Sequence, residues 1–503
     1  MMILPLILFL ISLPVLRIIY ELLAPEFDTW RHLYVILPEM ITNTILLVAG
    51  VAILTLLFGV SLAWLVSAYK FTLSRVFEVT LLLPLAVPTY VLGYVYMATF
   101  DYAGPVPSML RTFGIGFPDI RNGYGAITAM SLVLYPYVYF MSRTAFLTMS
   151  AELYNVARLY TSKFQTFIKV VLPISRPYIF SGLFLAIMES LTDFATVRFF
   201  NFPTLSEGIL RVWYGMMNLS AAIEIAGVLF LFSVMIMLME RKLRGRRRYH
   251  QSKFVGIEKI ELNGSKNWLA FSFCFSVLFF AFILPVAQLI MWSIQEMSIA
   301  PQAEFREYLR LVTNSTTLAF LGAVSAVLVS LIISGLSDRT DVLAKLSTMG
   351  YSIPGTVIGI GTLSLVSGMG YLVGTLPVLI YAYTVKFITV SYGSIESASE
   401  KINISVKESA RLLAGKLKAL LRVEVPLMYP GIVTGFVLVF VDVMKELPIT
   451  LILRPFGYDT LAIWVYQMAS ESLWGGAALP ALTIVLIGVI PVLLLRWEND
   501  RAH

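Results

Sequence analysis

The chain has 503 residues, 58% hydrophobic and only 13% charged, with a formal net charge of +7 and a mean hydropathy of +0.83. Soluble proteins carry roughly 25% charged residues, and disordered chains are polar and poor in aromatics; both classes are excluded, and the chain belongs in a bilayer. The one cysteine, Cys274, excludes an internal disulfide, and His32, His250 and His503 have no metal-ligand spacing.

The apolar stretches are continuous, as in Thr44 to Val66, without the alternation of a barrel strand. Each is long enough for a spanning helix of about 20 residues. The expected spans in chain order are 2–20, 42–66, 78–99, 125–148, 178–200 and 221–240, then 268–293, 313–336, 346–368, 373–395, 431–453 and 477–496. The first lacks the basic start and small-residue cleavage site of a signal peptide, so it reads as a retained helix. The fold class is all-α integral membrane, with about 12 helices.

Between the sixth and seventh spans runs Arg241-Lys242-Leu243-Arg244-Gly245-Arg246-Arg247-Arg248. It reads as a cytoplasmic anchor and not as a nucleic-acid site. An even number of spans precedes it, so both termini are expected in the cytoplasm of a multi-pass plasma (cell inner) membrane protein. Lysines agree: apart from Lys386 and Lys445 in spans, all fall in segments this topology places inside.

The two halves repeat. Asn155-Val156-Ala157-Arg158-Leu159 aligns with Glu408-Ser409-Ala410-Arg411-Leu412 at an offset of 253, where Lys163, Pro173, Pro177 and Gly182 meet Lys416, Pro426, Pro430 and Gly435. Asn43-Thr44 resembles Asn314-Ser315 at the start of spans two and eight. The expected domains are a six-span repeat over 1–240, a basic linker over 241–267 and a second six-span repeat over 268–503. Repeats of one orientation imply an axis along the membrane normal.

Spans four and five are separated by 149–177, and spans ten and eleven by 396–430. Both connectors are amphipathic and helix-forming, with Leu153, Val156 and Tyr160 at helical spacing. Glu152-(x4)-Ala157-(x4)-Ser162-(x10)-Pro173 and Glu408-Ser409-Ala410-(x4)-Gly415-(x10)-Pro426 resemble the EAA loops of ABC-importer permeases. Leu83-Pro84-Leu85-Ala86-Val87-Pro88, Thr192-Asp193-Phe194-Ala195-Thr196 and Lys445-Glu446-Leu447-Pro448 are similar to the fused ferric-iron-type branch. Related fused permeases that move thiamine or phosphonates are similar too.

The resemblance implies the type I ABC-importer permease fold and a coupling role for Glu152, Ala157, Arg158, Ser162, Pro173, Glu408, Ala410, Arg411, Gly415 and Pro426. The first loop departs from the family pattern at Ser162, where the family has glycine. The implied partners are two ABC ATPase subunits and an extracytoplasmic substrate-binding protein. This chain would bind no cofactor, with ATP and Mg used by the ATPase. It would be a transport subunit and not an enzyme.

Ionisable residues inside spans are costly and face a pathway or a partner. Glu189 and Asp193 lie one turn apart in span five, and Asp442 and Glu446 lie one turn apart in span eleven, at the same offset of 253. One reading is a transient cation path, since hard cations prefer oxygen ligands, with phenols from Tyr90, Tyr135, Tyr137 and Tyr139 nearby. The other is that these acids pair with Lys445, Arg198 or helix termini and hold the bundle together. No metal site is fixed by either.

A secondary transporter of the major facilitator type also has six plus six spans, but the loop Tyr69 to Arg75 lacks that family's glycine and Asp-Arg pair. A membrane enzyme finds no catalytic cluster. No phosphate loop is present: near Gly415-Lys416, Ala410 stands where its first glycine should be and Leu417 where Ser or Thr should be.

Overall fold

The computed structural model describes residues 3–23, 27–244, 259–299, 303–336 and 353–501. In lipid every backbone polar group must be satisfied within its own segment, and the helix does this. Among the described residues nine helices are long and apolar enough to cross a membrane, two bent helix pairs pass together, and Gly355–Val366 is a shorter apolar helix. Each of the twelve apolar stretches thus carries a helix.

Five spans differ from their sequence outlines. The third is a bent pair, Ser74–Ala86 and Thr89–Thr112, with 89° between its parts. Pro84 and Pro88 cannot donate to a helical ladder, so the chain turns there. The fifth and eleventh end early, at Thr192 and Met444, and short helices Ala195–Phe199 and Pro448–Leu453 follow. The breaks fall at acids that bond the next backbone, described below. The ninth is only the 12-residue helix Gly355–Val366; the first residues of its predicted range, 346–352, lie outside the described residues. The second helix is longer than expected: Phe27–Ala68 has 42 residues, about 60 Å at 1.5 Å per residue, and so runs well past the hydrocarbon core.

By packing the chain divides into two units, each made of three stretches. One comprises Glu39–Glu207, Phe232–Glu296 and Met468–His503. Inside it Gly123–Leu147 packs on Leu172–Thr192. Gly182 makes this crossing possible: a Cβ there would lie 2.6 Å from the Tyr137 carbonyl oxygen and 2.9 Å from the Val138 Cα. The other unit comprises Met1–Pro38, Gly208–Leu231 and Met297–Gln467. Its interior is formed by Ala303–Leu336, Leu376–Glu400 and Tyr429–Met444. There Gly435 lies against Ser391, with a Cβ 3.2 Å from the Ser391 Cα. Gly182 with Val138 and Gly435 with Ser391 are related by the offset of 253, so each unit contains the same small-residue helix crossing.

These packing units are not the sequence halves. The first helix, Ile3–Leu23, packs on Gly355–Val366 within the second unit, where Gly361 leaves room for the Pro14 carbonyl. The last helix, Trp474–Arg501, packs on the Leu83–Ala86 turn within the first.

Candidate functional site

The two connectors are built alike. In the first, the Ser150 hydroxyl accepts from Leu153 N at 3.5 Å and starts the helix Ala151–Tyr160. Thr161 ends it, and Ser162 restarts the chain with a reciprocal capping box to Gln165. In the second, the Asn403 side chain accepts from Ser405 N at 3.1 Å and starts Ile404–Ala414. Gly415 ends it at φ 74 and ψ 161, a conformation open essentially to glycine alone. Ser162, with φ −68, makes the same turn from an ordinary extended conformation, so the family glycine is not required there. Each connector then passes through a π turn, Phe167–Val171 or Leu420–Glu424, just before Pro173 or Pro426.

Both connectors expose apolar side chains at matching positions. Leu159 is 80% and Tyr160 84% exposed; their equivalents Leu412 and Leu413 are 88% and 90% exposed. Phe164 and Leu417, equivalent again, are also exposed. Glu152 and Glu408 face outward, while Ala157 and Ala410 are half-buried. Arg158 donates to the Thr161 carbonyl at 3.3 Å. Arg411 instead donates two hydrogen bonds to Glu424, Nε to Oε1 at 2.9 Å and Nη2 to Oε2 at 3.2 Å, with Glu424 buried. Sequence reasoning missed Glu424. Its signal was an acid at the end of the π turn Leu420–Glu424, where the first connector has Val171.

Three of the four span carboxylates have local partners. Asp193 accepts from Thr196 N at 2.9 Å and from the Thr196 hydroxyl, which caps the short helix Ala195–Phe199. Glu446 accepts from Ile449 N at 3.1 Å and caps Pro448–Leu453 in the same way. It also takes a bond from Lys386 Nζ at 2.6 Å, and the pair is buried. Gly355 closes over it: a Cβ there would lie 2.9 Å from the Lys386 Nζ. Asp442 pairs with Lys445 at 2.9 Å. Glu189 lies in the last turn of its helix, where its carbonyl accepts from Asp193 N at 3.2 Å. Lys386 was invisible as a partner because it comes from another span, 60 residues away.

Two of the four tyrosines serve the backbone. Tyr135 donates to the Leu81 carbonyl at 3.0 Å and Tyr139 to the Glu78 carbonyl at 3.1 Å, satisfying backbone left open at the bend of span three. Among the described residues no group of three or more His, Cys, Asp or Glu could hold a metal ion.

In the helices Phe27–Ala68 and Ala303–Leu336 the repeat is seen again. Asn43 donates to the Pro203 carbonyl at 2.9 Å, and Asn314 to the Gly457 and Asp459 carbonyls at 3.1 and 3.0 Å. Thr44 accepts from Leu205 N at 3.0 Å, and Ser315 from Leu461 N at 2.9 Å.

Residues 55–249 match the family of binding-protein-dependent transport system inner membrane components. The chain is 27% identical to the Fe(3+)-transport system permease protein FbpB 2 of Haemophilus influenzae, over 98% of this chain and 97% of that one. The chain is an ABC-importer permease. It is 21% identical over 91% of its length to the ferric transport system permease protein FbpB of Actinobacillus pleuropneumoniae, covering 71% of that protein. It is 26% identical to the molybdate/tungstate transport system permease protein WtpB of Pyrococcus abyssi, over 42% of this chain and 79% of that one. It is a multi-pass inner-membrane transport subunit, of a family whose ATP hydrolysis resides in separate partners and whose substrate arrives on a binding protein.

In the permease, part of the linker is docked. Ile260–Glu261 pairs in parallel with Tyr69–Lys70. The Glu78 carboxylate receives both Arg143 at 2.7 Å and Lys259 at 2.5 Å. Asn267 bonds Thr72, and Lys70 reaches Glu261 at 2.5 Å, which holds that exposed carboxyl below its usual range. The basic run begins at the end of the helix Leu219–Arg244; Gly245 to Arg248 lie outside the described residues.

Proposed function

We propose that this permease moves ferric iron, delivered by an extracytoplasmic binding protein, and that its two connectors are the docking sites of two ATPase subunits, which use ATP and Mg²⁺. The observation that carries the docking assignment is the repeated apolar patch: Leu159 and Tyr160 in one unit, Leu412 and Leu413 in the other, exposed on short helices outside the spans, with Phe164 and Leu417 exposed in the first turn of the segment that follows each. A patch of this kind on a non-spanning helix marks a protein interface. The substrate assignment is supported by the two ferric permeases it matches over most of its length. The placement of both termini in the cytoplasm, with the connectors, is supported by the lysine distribution and the basic run.

On this reading 1–240 and 268–503 are the two repeats of a fused permease, and each connector passes ATPase closure into a span through Pro173 or Pro426. Asp193, whose bonds come from the neutral donors Thr196 and Thr89, is better placed than Asp442 or Glu446 to meet a passing cation. Asp442 and Glu446 are neutralised by lysines within their own unit.

Leu412→Glu and Leu413→Glu test the docking assignment. They put charge on an exposed surface and leave the fold intact, so the purified permease should lose co-purifying ATPase subunits at unchanged thermal stability. Retention of the ATPase by the double variant, and by Leu159→Glu with Tyr160→Glu, would refute it.

A further inference from the structure

The two connectors are tied to their spans by opposite chemistries at the same four positions. In the first unit, Trp64 at the end of the second helix lies 4.8 Å from Phe167, 5.4 Å from Phe146 and 6.1 Å from Tyr154, ring centre to ring centre, and Phe146 lies 6.3 Å from Phe167. Phe146 and Tyr154 are buried. The offset of 253 carries Phe146, Tyr154 and Phe167 to Ser399, Lys407 and Leu420. Trp64 maps to Gly335 by the offset of 271 that relates the bonded pairs Asn43-Thr44 and Asn314-Ser315.

Those second-unit residues meet in the same way. Leu420 fills the space over Gly335, so closely that a Cβ there would collide with it, and Lys407 Nζ bonds Ser399 Oγ at 2.5 Å. The aromatic cluster is replaced by a glycine, a leucine and a polar bond. The Arg411–Glu424 pair is added, where the equivalent positions of the first unit hold Arg158 and Val171. The backbone differs to match. Lys163–Thr192 runs on as one span, while Lys416–Leu427 meets Tyr429–Met444 at 76°.

We infer that the two coupling joints are chemically distinct positioning devices: an apolar aromatic wedge centred on Trp64 in the first, and the Arg411–Glu424 ion pair ahead of a bent helix in the second. This rests on the docking reading above. An aromatic wedge is held by contact area and ring geometry. A bidentate ion pair fixes direction as well as distance. The ion pair ties the connector helix to the π turn, on the connector side of the bend at Met428, so that a push on the connector reaches the bend with its direction held.

The test uses the full complex, permease with ATPase and binding protein, in liposomes supplied with ferric iron. The readouts are ATP hydrolysed per ion accumulated and cross-linking to the ATPase from Leu159→Cys or Leu412→Cys. Phe167→Leu and Trp64→Leu, which give the first joint the apolar content of the second, should raise the ATP used per ion severalfold while cross-linking from Leu159→Cys persists. Val171→Glu, placed opposite Arg158, should restore coupling to the Trp64→Leu protein. Glu424→Gln should raise the ratio through the second joint, and Val171→Glu should not rescue it. Unchanged ratios in Trp64→Leu, Phe167→Leu and Glu424→Gln with normal cross-linking would overturn the joints and leave docking standing. Loss of rescue by Val171→Glu, with the protein folded and cross-linking, would overturn the equivalence of the two joints. Absence of cross-linking in otherwise unmodified protein would overturn the docking reading itself.

Discussion

Glu446→Gln removes the charge that balances Lys386 inside the second unit. The lysine side chain is 10% exposed and the carboxylate 5%, at 2.6 Å, so neither water nor salt shields the pair. Breaking a buried pair from one side costs about 3–5 kcal/mol, because an uncompensated charge remains. Glutamine keeps an oxygen for Ile449 N, so the loss is chiefly electrostatic and falls at the low end of that range. Lys386→Met with Glu446→Gln removes both charges and should return to within about 1–2 kcal/mol of the parent. Asp193→Asn offers the contrast: its donors are neutral, asparagine still accepts from Thr196 N, and the expected cost is about 1 kcal/mol. Thermal unfolding of the purified permease in one detergent, with all four proteins side by side, measures the order. A Glu446→Gln protein as stable as Asp193→Asn would refute the buried pair, as would a double variant no more stable than the single.

Other outcomes follow from the same geometry. Gly415→Ala forces an L side chain into φ 74, at a cost of about 1–3 kcal/mol, and should increase proteolysis in the second connector; Ser162→Gly should not change cleavage of the first. Glu78→Gln frees Lys259 and Arg143 together and should expose the linker after Lys259 to protease, whereas Glu261→Gln, at an exposed pair, should leave cleavage unchanged. Acidification through the folded value of Glu261, which lies below that of an unfolded glutamate, should release only that pair; its contribution is complete above the unfolded value, so linker protection should be flat from pH 6 to 8.

The helices were legible because continuous apolar runs and lysine placement leave little choice. The connectors were legible because two similar segments stand at one offset. What escaped was set by tertiary contact. The break after Thr192 depends on Asp193 reaching Thr196, and an apolar run gives no warning of it. The Lys386–Glu446 pair joins spans 60 residues apart, and each residue alone reads as a costly charge. The pairing of Tyr135 and Tyr139 with open carbonyls could not be foreseen before Pro84 and Pro88 were seen to bend span three.

The central claim is tested most directly by uptake. The permease, its ATPase and its binding protein, reconstituted in liposomes, should accumulate radiolabelled ferric iron only with ATP and binding protein both present, and should not accumulate molybdate or thiamine. ATP-dependent uptake of molybdate or thiamine in place of iron would contradict the substrate. Iron uptake that follows an ion gradient and ignores ATP would contradict the ATP-driven mechanism itself.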